Sequence, residues 1–283
     1  MPTKFADLHK SADDLFNKNF EHGKYSLEVS SKIHCLEYKT KGHHDIDSGK
    51  IKSSHETTLL LCGLGKLKET FTPGSDKIAF DFENSKLLKD AKFNILFDLP
   101  ISSSLPVPNV KNFKLNYANN NVNLNLNSDF GSNLSTDLTF AHDKLNSGQT
   151  VLGAKATLDL GKMALAPGYQ FALHKHAGSM SYCLKTGFNK DSSFSIHNQV
   201  NDKVAVATNV NHNSNGTKLA LAAAFKGACG SSNQFKIDDS GKFAISHITP
   251  TSFGAKLTVS GEFSAFDMQG GNHKVGAGLK FDF

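Results

Sequence analysis

The sequence predicts an all-β protein, a single transmembrane antiparallel β-barrel of about 19 strands with an N-terminal amphipathic helix in its pore. Apolar and polar residues alternate with a period of two along most of the 283 residues, and turn residues separate the alternating runs at short intervals. No apolar run approaches the roughly 18–20 residues that a membrane helix needs. Any passage through a bilayer would therefore use strands.

The first element is a helix predicted over residues 4–20. Its apolar residues recur at helical spacing: Phe5, Leu8, Ala12, Leu15 and Phe16. Charged residues occupy other positions of the helical wheel: Lys10, Asp13, Asp14 and Lys18. Thr3 is a suitable N-cap, and Gly23 is a suitable stop or hinge. This helix could be a terminal helix docked on a core, or a helix that lies in a pore or on a membrane surface. We expect residues 1–23 to form the helix and hinge, and residues 24–283 to form the barrel.

The strands follow Gly23, and the clearest is residues 121–127, where three aliphatic residues alternate strictly with four asparagines. Similar runs contain Phe80, Ile95, Leu115, Leu158, Phe171, Leu184, Ile196, Val206, Leu221, Ile237, Ile245 and Val259. Turn residues separate many of them, as at Pro73-Gly74, Asn119-Asn120, Asn201-Asp202, Asn215-Gly216 and Asp239-Ser240-Gly241. No stretch after residue 23 has a helical period, which excludes folds built from βαβ units.

The last strand is the most informative. Its apolar residues are Val275, Ala277, Leu279, Phe281 and Phe283, and they alternate with Lys274, Gly276, Gly278, Lys280 and Asp282. A soluble sandwich also has two-faced strands. However, short hairpin links favour an up-and-down meander, and about nineteen strands exceed what an open twisted sheet usually tolerates. In lipid, only a closed barrel satisfies every backbone amide.

The composition excludes several classes of protein. All 31 basic residues are lysines, spread along the chain, and the net charge is +5, so the sequence does not favour a nucleic-acid partner. Four distant cysteines without a C-x-x-C pair predict free thiols. His174 and His176 share a strand face but have no third ligand, so we expect no metal and no cofactor. No catalytic triad or carboxylate pair is recognisable, so an enzyme is not expected.

With these features assembled, the chain resembles the mitochondrial porins, the voltage-dependent anion channels (VDAC) of the outer membrane. Residues 5–20 are similar to the family's pore helix, and Gly23 stands at its hinge. Residues 198–209, with Val200-Asn201-Asp202, and residues 271–279 resemble the family's later strands. The resemblance implies 19 strands with one parallel pair between the first and the last, and a location in the mitochondrial outer membrane.

The final strand also resembles the sorting signal of mitochondrial β-barrels, which combines a polar residue, a glycine and two alternating hydrophobic residues. Those residues are Lys274, Gly276, Leu279 and Phe281. A charge in place of Gly276 or Phe281 is expected to impair insertion, because a charge at mid-bilayer depth costs roughly 2–4 kcal/mol.

The chain departs from the family pattern at three places. Asp13 stands where the family helix usually has a basic residue. The family's Gly-Leu-Lys element appears as Leu87-Leu88-Lys89, without its glycine, so nucleotide contact is not carried over to that site. A lipid-facing glutamate of some members has no counterpart at Asp81 or Glu83, which share the polar face of their strand.

The resemblance implies a passive, voltage-gated channel for small hydrophilic metabolites and ions. On the strand assignments, five lysines lie on polar faces: Lys77, Lys92, Lys114, Lys274 and Lys280. Such charges lower the energy of anions in a low-dielectric tube, and ammonium groups hold phosphates loosely. We expect a weak preference for anions such as nucleotides and phosphate, with the helix docked weakly and able to shift.

Other functions fit the same fold. The barrel could have become a structural subunit of a larger mitochondrial membrane complex, or be the protein-conducting pore of the outer-membrane translocase. The latter usually carries a longer N-terminal extension. A soluble β-rich binding protein is a further alternative. Membrane lipid is the expected surrounding, and the sequence leaves open whether the chain forms homo-oligomers.

Overall fold

The computed structural model describes residues 3–101, 107–129, 133–142, 149–166, 168–187, 191–267 and 273–283. Two helical pieces begin the chain, a 3₁₀ turn at Phe5–Asp7 and helix α1 at Lys10–Asn17. A second 3₁₀ turn lies at Ala228–Gly230. None of the helices in these ranges has the length and apolar character to cross a bilayer.

Twenty strands follow the helix in the described ranges. They are β1 (Lys24–Ile33), β2 (Leu36–Asp45), β3 (Ile51–Leu61), β4 (Gly65–Phe71), β5 (Lys77–Leu88), β6 (Ala91–Pro100), β7 (Asn109–Ala118), β8 (Val122–Ser128), β9 (Asn133–His142), β10 (Thr150–Asp159), β11 (Ala164–Leu165), β12 (Gln170–Ala177), β13 (Met180–Gly187), β14 (Ser192–Asn201), β15 (Val204–Asn213), β16 (Gly216–Lys226), β17 (Ser232–Asp238), β18 (Lys242–Pro250), β19 (Ala255–Ser264) and β20 (Lys274–Asp282).

The strands form one closed antiparallel meander. Each pairs with its neighbours in sequence, except that β10 also pairs with β12, and the two-residue β11 pairs only with the last two residues of β10. Nineteen strands therefore make the wall, which confirms the predicted barrel. Because an up-and-down meander with an odd count begins and ends in the same direction, β1 and β20 pair in parallel from Tyr25↔Ala277 to Ser30↔Asp282.

The sequence pattern did not single out β1–β4 or β9. The structure supplies the reason for β1–β4, where several outward positions carry polar side chains that weaken the hydrophobic alternation. These positions include Thr40, Ser53, His55, Thr57 and Glu69. Pairing with neighbouring strands fixes these segments as β-structure despite the weaker pattern.

The four residues that resemble the sorting signal lie on opposite faces of β20. Lys274 and Gly276 face inward, whereas Leu279 and Phe281 face outward, and the Phe281 ring packs near those of Phe253 and Phe283. Residues 271–272, the start of the family-like stretch, lie outside the described ranges. Since Gly276 does not face lipid, a charge there would act through steric overlap rather than through lipid exposure.

At Gly276 the wall lies against the backbone of the incoming chain, and Gly276→Ala tests this close approach. An added Cβ would overlap the carbonyl oxygens of Glu21 and Lys24. These backbone atoms lie at the barrel seam, where β1 pairs with β20. We expect a lower melting temperature of the refolded barrel, with a destabilisation of about 1–3 kcal/mol. Gly42→Ala is the control, because its nearest neighbour would be the Lys52 carbonyl at 3.9 Å. Equal melting temperatures for the two variants would contradict the prediction.

Candidate functional site

The register of the barrel divides the side chains of every strand between an inner and an outer face. The inner face is identified by the N-terminal chain, since Phe5 lies against Gly153 and Leu8 also approaches that glycine. Cross-strand pairing carries this assignment around the wall, from Gly153↔Ala172 to Ser260↔Gly276 and beyond. The barrel interior is therefore a lumen that contains a segment of its own chain.

Residues 3–22, here called the docked segment, lie along the inner face from β9 to β20. Phe5 and Leu8 form one buried cluster with Ala141, Val151, Ala172 and Cys183. A second cluster joins Ala12, Leu15 and Phe16 to the wall alanines Ala205, Ala207 and Ala222. Phe5 is only 3% exposed, because Gly153 has no side chain to occupy the space of its ring. Small wall residues thus create the groove that receives the helix.

Wall side chains on five strands form hydrogen bonds with polar groups of the docked segment. The contacts are Thr139 Oγ1 to Thr3 O at 2.9 Å, Ser195 Oγ with His9 Nδ1 at 2.9 Å, Lys236 Nζ to Phe16 O at 3.1 Å, Ser246 Oγ to Asn19 O at 2.6 Å, and Glu21 N to Ser260 Oγ at 2.7 Å. Most of them satisfy backbone atoms that no helix or sheet partner reaches. The segment is therefore fixed in position as well as buried.

The helical part of the segment is shorter than the predicted 4–20. The residues Phe5–Asp7 form a separate 3₁₀ turn, and helix α1 starts only after His9 and ends at Asn17. Asn19 adopts a left-handed conformation with φ 65°. Thr3 is not an N-cap, because Lys4 holds that position for the 3₁₀ turn and His9 holds it for α1. Docking on a curved wall explains the difference, because a straight helix of 17 residues would leave that wall.

The charged residues of α1 face the open lumen or its edge. Asp14 pairs with Lys18 at 2.9 Å and with Lys10 at 3.4 Å, and both lysines are exposed. Asp13 is half-buried, and burial raises the pKa of its carboxyl while the charge of Lys185 opposes this. The segment thus presents a nearly balanced set of charges to the lumen.

The rest of the lumen is lined differently, by the inner faces of β20 and β1–β7, here called the charged wall. Lysines and carboxylates alternate there in ion pairs. Four of the five predicted lysines lie near a carboxylate: Lys77 with Asp98 at 3.5 Å, Lys92 with Glu83 at 4.0 Å, Lys274 with Asp47 at 2.7 Å and Lys280 with Glu28 at 3.1 Å. Lys114 faces the same lumen beside asparagines and has no ion pair among the described residues.

Glu69, which is not among the residues predicted from the sequence, lies on the outer face of β4. Its cross-strand neighbours are Thr57 and Phe80, both outward-facing. The alternation along β4 is the sequence signal that indicates an outward position for Glu69. It alternates with the inward residues Lys68 and Thr70, and it shares a face with Leu67 and Phe71. Asp81 and Glu83 face the lumen, as their polar phase indicates.

Other chemistry-bearing residues do not converge. No three His, Cys, Asp or Glu side chains of the described ranges could share a metal ion. Cys183 is buried below the docked segment, and Cys35, Cys62 and Cys229 are exposed. Of the Leu87-Leu88-Lys89 element, Lys89 lies in the turn between β5 and β6. The side chains of residues 87 and 88 are not among those that the structure describes.

A wall of nineteen strands with an apolar exterior, a charged interior and a docked N-terminal segment defines a membrane pore protein. The chain belongs to the eukaryotic porin family, whose model matches residues 1–276. It is similar to the non-selective voltage-gated ion channel VDAC2 of Xenopus laevis, with 29% identity over 100% of this chain and 99% of that protein. The non-selective voltage-gated ion channel VDAC3 of Bos taurus is 27% identical over 98% of each chain.

Gly153→Val tests whether the wall groove holds the docked segment. A Cβ at this position would lie 2.8 Å from Phe5 Cδ2 and 3.3 Å from Leu8 Cδ1, so both side chains would be displaced. We expect faster tryptic cleavage at Lys10 and Lys18, because trypsin is too large to enter the lumen and cuts only a released segment. The Gly42→Val variant is the control, because Gly42 lies on the outer face, and trypsin should cleave it at the same rate as the unsubstituted protein. Equal cleavage of both variants would show that the groove is not needed.

The docked segment should also loosen in acid. Burial, with the charges of Lys185 and His174, lowers the pKa of His9 from 6.5 to about 4. A released His9 takes up its proton near pH 6.5, so docking is strongest above that pH and weakens towards pH 4. The loss is about 2 kcal/mol at pH 5.

The measurement is the mobility of a nitroxide label at Asn17→Cys, in a protein whose exposed cysteines are replaced by serine. We expect mobility to rise between pH 7 and pH 4.5. His9→Gln should remove most of that rise, since glutamine does not titrate. A rise of the same size in both proteins would assign the acid effect to another group.

Proposed function

We propose that this protein is a voltage-gated channel of the mitochondrial outer membrane, through which small hydrophilic metabolites and ions diffuse passively. The supporting observation is the asymmetry of the lumen. The docked segment covers one part of the wall, whereas the charged wall opposite it remains accessible. Barrels of 16–18 strands already leave an aqueous passage, and this wall has nineteen. The named relatives are voltage-gated ion channels, which supports the same function here.

The preference of the channel for anions should be weak. Lysines exceed carboxylates on the charged wall, so the potential in the lumen is positive overall. However, most of these lysines have a carboxylate within 4.0 Å, and each such pair contributes little field at the pore axis. Phosphate groups and nucleotides would meet lysine ammonium groups, which bind them as point charges and release them readily. Lys114 has no ion pair among the described residues, so we expect it to contribute more to the anion preference than any of the paired lysines.

The docked segment is the gate in this proposal. It lies inside the lumen and carries Lys10, Lys18 and Asp14 on its accessible side, so its displacement would change both the width and the charge of the passage. The wall contacts that hold it are numerous but individually small. A membrane potential acting on these charges can therefore bias the segment between docked and displaced positions.

Reversal potentials in a salt gradient across a planar bilayer test the proposal. Replacement of Lys18, Lys92 and Lys114 by glutamate should abolish or reverse the anion preference, because six units of positive charge are lost from the lumen. Lys175→Glu is the control, since Lys175 lies on the outer face of β12 and should leave the reversal potential unchanged.

Two results would contradict the channel function or its selectivity. If the unsubstituted protein passes no current, the barrel is a structural subunit and the lumen lysines have another role. If it prefers cations before any substitution, the net charge of the wall does not set the selectivity.

A further inference from the structure

Lys236 occupies a position on the docking side of the lumen that differs from that of the other wall lysines. It lies on the inner face of β17, opposite Ala222 on one side and Ala244 on the other. Its ammonium group donates to Phe16 O at 3.1 Å and lies 4.4 Å from the centre of the Phe20 ring. One side chain therefore contacts both the last turn of α1 and Phe20, which lies three residues beyond the end of the helix.

Both contacts are chemically specific. The Phe16 carbonyl belongs to the last turn of α1, where carbonyls lack helical partners and the helix dipole is negative. A lysine donor satisfies this carbonyl and neutralises that end. The face of a phenylalanine ring is also electronegative, so the same cation is attracted to Phe20. Losing Lys236 would leave both groups without this partner.

An alternative position for the ammonium group is available beside it. A cavity of about 170 Å³ lies between the end of α1 and the wall, and its lining includes Lys236, Asp238 and Glu262. If the segment moved away, the lysine could turn towards these two carboxylates. The local structure thus offers the lysine two sets of partners, one with the segment docked and one with it displaced.

We propose that Lys236 is the latch of the docked segment, a positioning residue whose contacts control gating while its charge contributes to selectivity only as any lumen lysine does. This inference rests on the proposed channel function. Lys185, whose ammonium lies 5.5 Å from the centre of the Phe5 ring, makes a weaker contact of the same kind at the other end of the segment. The bond to a helix carbonyl distinguishes Lys236.

The test compares Lys236→Met, Lys236→Arg and Lys68→Met in planar bilayers. Methionine keeps the apolar stem but loses the donor and the charge, whereas arginine keeps both. Lys68 is the matched control, because it is a lumen lysine on the charged wall that pairs with Glu56 at 3.1 Å. Two quantities are measured for each protein, the reversal potential in a salt gradient and the voltage at which half of the channels close.

We expect the two methionine variants to shift the reversal potential in the same direction and by similar amounts. Only Lys236→Met should lower the closing voltage, with the ratio of docked to displaced segment reduced about tenfold or more. Lys236→Arg should restore the unsubstituted closing voltage. Closing voltages that are equal in Lys236→Met and Lys68→Met, or an arginine variant that behaves as the methionine variant does, would overturn the latch.

Tryptic cleavage at Lys10 and Lys18 provides a second readout that needs no current. Faster cleavage in Lys236→Met than in Lys68→Met supports the latch even if the unsubstituted protein does not conduct, in which case only the channel function fails. Phe20→Leu removes the ring but keeps the carbonyl contact, and it should give a smaller increase in cleavage. Equal cleavage in all of these variants would overturn the latch even if the protein conducts.

Discussion

Every backbone amide that faces a bilayer must find its hydrogen-bond partner within the protein, because lipid offers none. The parallel pairing of β1 with β20 meets this requirement at the one place where a meander of nineteen strands would otherwise leave two open edges. The seam extends beyond the strands, since Gly23 N donates to Val275 O and Phe283 N donates to Ser30 O. The chain therefore enters the wall directly from the lumen, which holds the N-terminal segment inside.

Closure imposes a strict division between the two faces of the wall. Outward positions must suit lipid and are mostly Phe, Leu, Val and Ile, whereas inward positions are free to vary with function. The lumen uses this freedom unevenly. Small residues on β9, β10, β12–β16, β18 and β19 form a groove, and paired charges on β20 and β1–β7 form a hydrated surface. One barrel thereby provides both a binding surface for its own segment and a passage for ions.

The docked segment illustrates how a short helix is kept stable inside a wet pore. An eight-residue helix is too short to persist alone in water. Here two apolar clusters remove one face from water, and wall side chains form hydrogen bonds with polar groups of the segment, including the Phe16 carbonyl in the last turn of the helix. Because each polar contact contributes only about 1 kcal/mol, the whole set fixes the segment without making its release prohibitive.

The sequence by itself determined the class of fold. Residues 121–127 and the final strand alternate with a period of two, and this period reflects the pleat of a strand rather than any distant contact. The same phase places Lys77, Lys92, Lys114, Lys274 and Lys280 on the polar face. For β1–β4, however, polar residues such as His55 and Glu69 on the outer face weakened the pattern, and only pairing with neighbouring strands identifies those segments.

Tertiary structure decided how the site is assembled. The groove consists of single glycines, alanines and serines from many strands, and no local pattern in the sequence distinguishes Gly153 or Ala207 from other small residues. The partners of the lysines also come from other strands, as with Lys77 and Asp98. Periodicity along one strand gives the face on which a residue lies. The register between strands, which depends on closure of the whole barrel, decides what it contacts.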